Sequence, residues 1–126
     1  MKHRQINIAA DDIEVGTLLE FPLTAPGREV RVRSIRAVGD GEASQTVALA
    51  HRVGSPSVLV ECWAVNAPGH LGFTPGAYLA GDVSALLGSL DLAVGSASAP
   101  LVLYYIAHSG TPGDVRIDVV YEDRAV

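Results

Sequence analysis

The chain has 126 residues, 48% of them hydrophobic and only 18% charged, with a formal net charge of −5. The acidic balance argues against generic nucleic-acid binding, which needs a net basic face, and the lone cysteine, Cys62, excludes an intrachain disulfide. The length fits a single domain over residues 1–126 that buries a core without disulfide or metal staples. Mean hydropathy is +0.28, so there is little charge to spread over a monomer's surface, and copies of the chain or a partner are expected to cover apolar surface. Lys2-His3-Arg4 opens the chain with charge and not with an apolar stretch. The longest apolar run, Leu101 to Ala107, is far too short to span a bilayer. A soluble, non-secreted product with no membrane contact is the expectation.

Four Pro-Gly pairs punctuate the sequence: Pro26-Gly27, Pro68-Gly69, Pro75-Gly76 and Pro112-Gly113. Proline presets the first central φ of a type II turn and glycine supplies the positive φ of the second. Between the turns lie short runs rich in Val, Ile, Leu and Tyr, the pattern of an all-β chain. Arg4–Ile8 reads as a leading strand and Thr17–Phe21 as the next, closed by Pro22. Glu29–Val38 is the longest. Val30 and Val32 share one parity while Ile35 and Ala37 share the other, and a bulge near Arg33-Ser34 turns all four to one face. Gly39-Asp40-Gly41 then reverses the chain. Gln45–Val53 alternates, with Val47, Leu49 and Val53 on one face and Thr46, Ala48 and Arg52 on the other. After Gly54-Ser55-Pro56, the apolar Ser57–Asn66 reads as a central strand. Residues 67–81 read as a long connection with a short strand at Ala77–Leu79. Asp82–Leu87 and Ser89–Val94 suit either a short helix or strands. Leu101–Ala107 reads as a buried strand, apolar on both faces. In Asp114–Tyr121, Val115, Ile117, Val119 and Tyr121 point inward. Eight or so short strands with long crossings give a two-sheet antiparallel sandwich of jelly-roll type, with an immunoglobulin-like sandwich as the alternative.

No motif for catalysis stands out. His3, His51, His70 and His108 lack the close spacing of metal ligands, and no His-x-His pair with a following carboxylate is present. The thiol of Cys62 has no His or Asn placed to activate it. Asp11-Asp12 with Glu14, and Gly39-Asp40-Gly41-Glu42, read as solvated turns and not as a calcium loop. Gly81-Asp82 reads as an Asx-type turn. The glycines form no phosphate loop and the serines no nucleophile elbow. No metal, no cofactor and no enzyme activity are expected. Trp63, Tyr104 and Tyr121 sit in apolar strands and read as core. Arg31, Arg33 and Arg36 share a strand with Arg28 and make a basic stripe opposite the valines. The stripe either pairs with carboxylates of a neighbouring strand or meets an acidic partner, and these three arginines are the candidate interface residues.

The segments Val30–Val38, Gln45–Leu49, Tyr78–Val83 and Val115–Val119 together resemble small capsid decoration proteins of tailed bacteriophages. The resemblance covers roughly residues 15–121 and rests on a general pattern, in which an early strand pair is followed by an Ala/Gly-rich middle, a Gly-Asp turn and a final amphipathic strand. It implies a homotrimeric cement protein on the major capsid protein lattice, made in the host cytoplasm and carried on the virion surface, without catalysis. It transfers no functional residue. A ligand-binding β-sandwich of lectin type, using the Ala67–Gly81 loop and its aromatics, is the alternative.

Overall fold

A computed structural model of the chain describes residues 2–39, 42–67, 77–81 and 100–125. The strands in chain order are β1 (Lys2–Ile8), β2 (Leu18–Pro22), β3 (Arg28–Gly39), β4 (Glu42–Val53), β5 (Val58–Ala67), β6 (Ala77–Gly81), β7 (Leu101–Thr111) and β8 (Val115–Ala125). One turn of 3-10 helix, Ala10–Asp12, lies between β1 and β2. Every strand pair is antiparallel. One sheet has the order β1-β8-β3-β6 and the other β2-β7-β4-β5. The pairs β1·β8, β2·β7, β3·β6 and β4·β5 nest inside one another, as in a long hairpin rolled onto itself. This is the jelly-roll topology that the strand and turn spacing points to.

Alternation decides which residues meet between the sheets. Val30, Val32, Ile35 and Ala37 of β3 are all buried in the same core as Val115, Ile117 and Val119 of β8. Strict period-two alternation cannot achieve this, and the β3–β8 register slips between Val32 and Ser34. Arg33 is the extra residue, so the expected bulge is present and the strand keeps its apolar side inward on both halves. The second sheet adds Val47, Leu49, Leu101, Leu103, Tyr105 and Ala107, with Leu19, Phe21 and Leu23 packed at the margin.

Three local expectations need correction. β5 lies at the edge of its sheet in the described order, not at its centre. Its apolar composition does not reflect burial on both sides, since Val58 and Val60 are exposed. Tyr104 points away from the core, where it is half-buried, because β7 alternates and its neighbour Tyr105 takes the inward position. Gly113 does not take positive φ; the left-handed residue near that turn is Gly110, at φ 92°. The turn at Pro26-Gly27 does form as expected: the Arg28 amide donates to the Ala25 carbonyl at 3.1 Å, with Gly27 at φ 72°. Pro68-Gly69, Pro75-Gly76, Asp40-Gly41, Asp82–Leu87 and Ser89–Val94 lie outside the described residues.

Two substitutions test this account. A Cβ at Gly27 would meet no heavy atom within 4 Å, so Gly27→Val is expected to lose roughly 1–3 kcal/mol through backbone strain alone; an unchanged melting temperature would remove the turn assignment. Ile117 is fully buried, and Ile117→Ala is expected to cost about 2–5 kcal/mol in urea unfolding.

Candidate interaction surfaces

The sandwich has two chemically different outer faces. On the outside of the first sheet, β8 alternates Arg116, Asp118, Val120, Glu122 and Arg124 against Val38, Arg36, Ser34, Arg31 and Glu29 of β3. This register builds a ladder of opposite charges. Both guanidinium contacts of Arg124 go to Glu29, at 3.0 and 3.1 Å. Arg33 Nη2 donates to Glu122 Oε2 at 3.0 Å. Arg116 Nε meets Asp118 Oδ2 at 3.1 Å, and His3 Nε2 of β1 meets the other oxygen at 3.1 Å. Asp123 is held by Arg28 Nε at 2.8 Å and Lys2 Nζ at 3.2 Å. The Arg33 hydrogen bond holds the Glu122 carboxyl below its usual range, and that from Arg28 does the same for Asp123. Exposed pairs of this kind each contribute little to stability, but together they link most of the charged side chains of this face to one another.

The three candidate arginines therefore lie on one face. Arg31 opposes Glu122 and lines a shallow groove with Glu29, Glu122 and Arg124. Arg33 is the bulged residue and reaches Glu122. Arg36 opposes Asp118. Sequence reasoning picked out the cations and missed their partners Glu29, Asp118 and Glu122. The signal was present in the outward parity of β8, where charged residues interleave with Val115, Ile117 and Val119.

The outside of the second sheet is largely apolar. Leu18, Ile106 and Thr46 form one row across it, and Glu20, Tyr104, Ala48 and Ala64 the next. Pro22, Val102, Ala50 and Glu61 follow. Ala48, Ala50, Val102 and Thr46 are buried, while Leu18, Tyr104 and Ile106 are half-buried and Pro22 and Ala64 are exposed. Several polar groups on this face are paired. The Tyr104 phenol donates to Glu61, and burial followed by that carboxylate raises its pKa. Arg52 forms an ion pair with Glu20 and donates from Nη1 to Ser57 Oγ at 3.1 Å. Thr46 Oγ1 and His108 Nε2 lie 2.7 Å apart.

At one end of the first sheet, a cleft of about 540 Å³ opens between β1, β3 and β8. Ile8, Val38 and Val115 give it an apolar floor; Asn7, Asp12, Asp114 and Arg116 give it a polar rim. Asp114 Oδ1 already accepts the Ala10 amide at 2.9 Å. Asp11 and Asp12 lie on the 3-10 turn, and Glu14 follows it. Among the described residues, no group of three or more His, Cys, Asp or Glu is arranged to hold a metal ion, and no helix is long and apolar enough to cross a membrane. His3 and His108 occupy the pairs given above, and partial burial lowers the His51 pKa. Cys62 falls at the β4–β5 register slip between Leu49 and Ala50. His70 and Asp82 lie outside the described residues.

One polar pair is internal. The Tyr105 phenol donates to Gln45 Oε1 between the sheets, with Tyr105 fully buried and Gln45 1% exposed. Gln45 Nε2 has no hydrogen-bond partner among the described residues. Gln45 shares the inward parity of Val47 and Leu49, and the hydrophobic pattern of β4 gave no hint that an amide would sit there.

No model of a known protein family matches the chain, and no curated protein matches it either. Among solved structures, the chain is similar to the core of Drosophila NLP, with a TM-score of 0.42 and 11% identity over 97% of this chain and 99% of that one. That structure is described as giving insight into pentamer formation and histone binding; both properties belong to that protein.

Tyr105 provides a pH test. Burial pushes its phenol from the ordinary value of 10.0 up to about 12. The folded value lies above the unfolded one, so folding favours the neutral phenol. That contribution is complete below the unfolded value and is lost as the pH climbs toward the folded one. The urea midpoint of the native chain is expected to fall more steeply above pH 10.0 than that of Tyr105→Phe. Equal slopes would show that the buried phenol does not titrate with unfolding.

Proposed function

We propose that the chain is a non-catalytic assembly protein: a jelly-roll module that forms a homo-oligomer and coats a larger protein lattice, with a phage capsid as the lattice to which the sequence resemblance points. The observation that carries this reading is the contrast between the two outer faces. A face whose charges are satisfied by each other suits permanent contact with water. A face whose half-buried and exposed side chains include Leu18, Pro22, Ala64, Tyr104 and Ile106 gains by losing water to a partner. A sheet that is apolar on both sides is expected to be covered on both sides. The mechanism is interfacial burial repeated over many equivalent sites, so that modest contacts add up through avidity. The trimer and the virion location come from the resemblance; the faces themselves set no number of copies.

The cleft of about 540 Å³ beside β1, β3 and β8 favours the second reading, a lectin-like binder, because its volume and mixed lining suit a small ligand. Residues 68–76, the greater part of the loop that the lectin reading invokes, lie outside the described residues.

Co-sedimentation with capsids separates the two readings. Ala64→Arg places a charge on the exposed apolar face and is expected to abolish binding while circular dichroism stays unchanged. Arg36→Ala on the other face is expected to leave binding intact. If Arg36→Ala abolishes binding and Ala64→Arg does not, the arginine stripe is the contact and the face assignment is overturned. No affinity for capsids, with saturable binding on a glycan array, would favour the lectin reading.

A further inference from the structure

A sheet edge presents unpaired N–H and C=O groups, and folded proteins guard such edges with short strands, proline, charge or cover. Among the described residues, three of the four edge strands are guarded. β1 begins with Lys2, His3 and Arg4. β2 has five residues and ends at Pro22, whose carbonyl is taken by Arg4 Nη1 at 2.7 Å. β6 has five residues. β5 is different: it has ten residues, no proline and one charged residue, Glu61. Its leading half is also open to solvent, with Val58 at 56% and Val60 at 50% exposed.

We infer that the leading half of β5 pairs antiparallel with the same segment of a second copy, joining two β2-β7-β4-β5 sheets into one. The inference concerns contact between copies and holds whether or not a lattice is bound. The occupant is a second copy because this segment is complementary to itself about a two-fold axis at Leu59. In that register Leu59 faces Leu59, and Val58 faces Val60 of the second copy. Ser57 faces Glu61 of the second copy. The two members of each pair lie on the same face, as antiparallel pairing requires: Val58 and Val60 are on one side, and Ser57, Leu59 and Glu61 on the other. The four exposed valines are covered together. Glu61 avoids its own copy and arrives beside Ser57, where Arg52 Nη1 already sits 3.1 Å from the hydroxyl. The carboxylate thus meets a guanidinium that has a donor to offer. A two-fold contact of this kind is closed and yields a dimer. A ladder spanning Ser57 to Glu61 lies at the small end of stable interfaces, so the expected affinity is micromolar.

Light scattering on the full chain at rising micromolar concentration is expected to show a shift from 13.1 kDa to twice that mass. Val60→Lys, which puts charge at the edge beside His51 and against Val58 of the second copy, is expected to weaken dimerisation at least about tenfold with an unchanged circular dichroism spectrum. Cross-linking fixes the register independently of that variant. In a Cys62→Ser background, Leu59→Cys is expected to form a disulfide-linked dimer under mild oxidation. Val58→Cys, whose opposite residue is Val60, is expected to link far less. A monomer at all concentrations, a trimer, a dimer that survives Val60→Lys, or preferential linking through Val58→Cys would each overturn the inference.

Discussion

The β-bulge at Arg33 is the constraint on which the rest of the sandwich depends. Without it, the alternation of β3 would carry Ile35 and Ala37 to solvent and turn Ser34 and Arg36 inward. A fully buried Ile or Val contributes roughly 1.5–3 kcal/mol through burial, and a guanidinium forced into the core adds a desolvation penalty. One unpaired residue avoids both. It also explains why the charge ladder is continuous. Because the register slips at Arg33, Arg31 still opposes Glu122 and Arg36 still opposes Asp118. The same slip that completes the core completes the polar face.

From that seam follows the polarity of the molecule. The first sheet fills its outward positions with Glu29, Arg31, Arg36, Asp118, Glu122 and Arg124. The second places Ala48, Ala50, Val102 and Ile106 there instead. Ala48 and Ala50 of β4 stand beside Tyr104 and Val102 of β7, and the Glu20–Arg52 pair supplies charge near the margin. The chain is thus sided at the level of whole sheets, charged on one side and largely apolar on the other.

Much of this architecture was legible in the residues. The strands of β3, β7 and β8, the bulge, and the inward set of β8 follow from alternation and turn chemistry, which act over a few neighbours. What was not legible depends on partners far away in sequence. An apolar run such as Val58–Ala67 reads the same whether it lies between two strands or at an edge, because periodicity does not register how many neighbours a strand has. Gln45 has the inward parity of a core residue but needs the phenol of Tyr105, sixty positions along, to make sense of its amide. The arginines were visible as a stripe, while their carboxylates could be assigned only once β8 was known to lie beside β3.

The nested pairing of the strands also bears on how the molecule is made. β8 lies between β1 and β3, so the first sheet cannot close until residues 115–125 are available. Until then β1 and β3 have an open slot between them, and β3 lacks its hydrogen-bonding neighbour on that side. Contacts that span nearly the whole chain, such as Lys2 with Tyr121, demand loop closure before they stabilise anything, which places folding among the slower topologies. During synthesis, β1 and one side of β3 therefore stay unpaired for as long as the ribosome still holds β8, and in that interval the charged residues of β3 help to guard that open side against association with its neighbours.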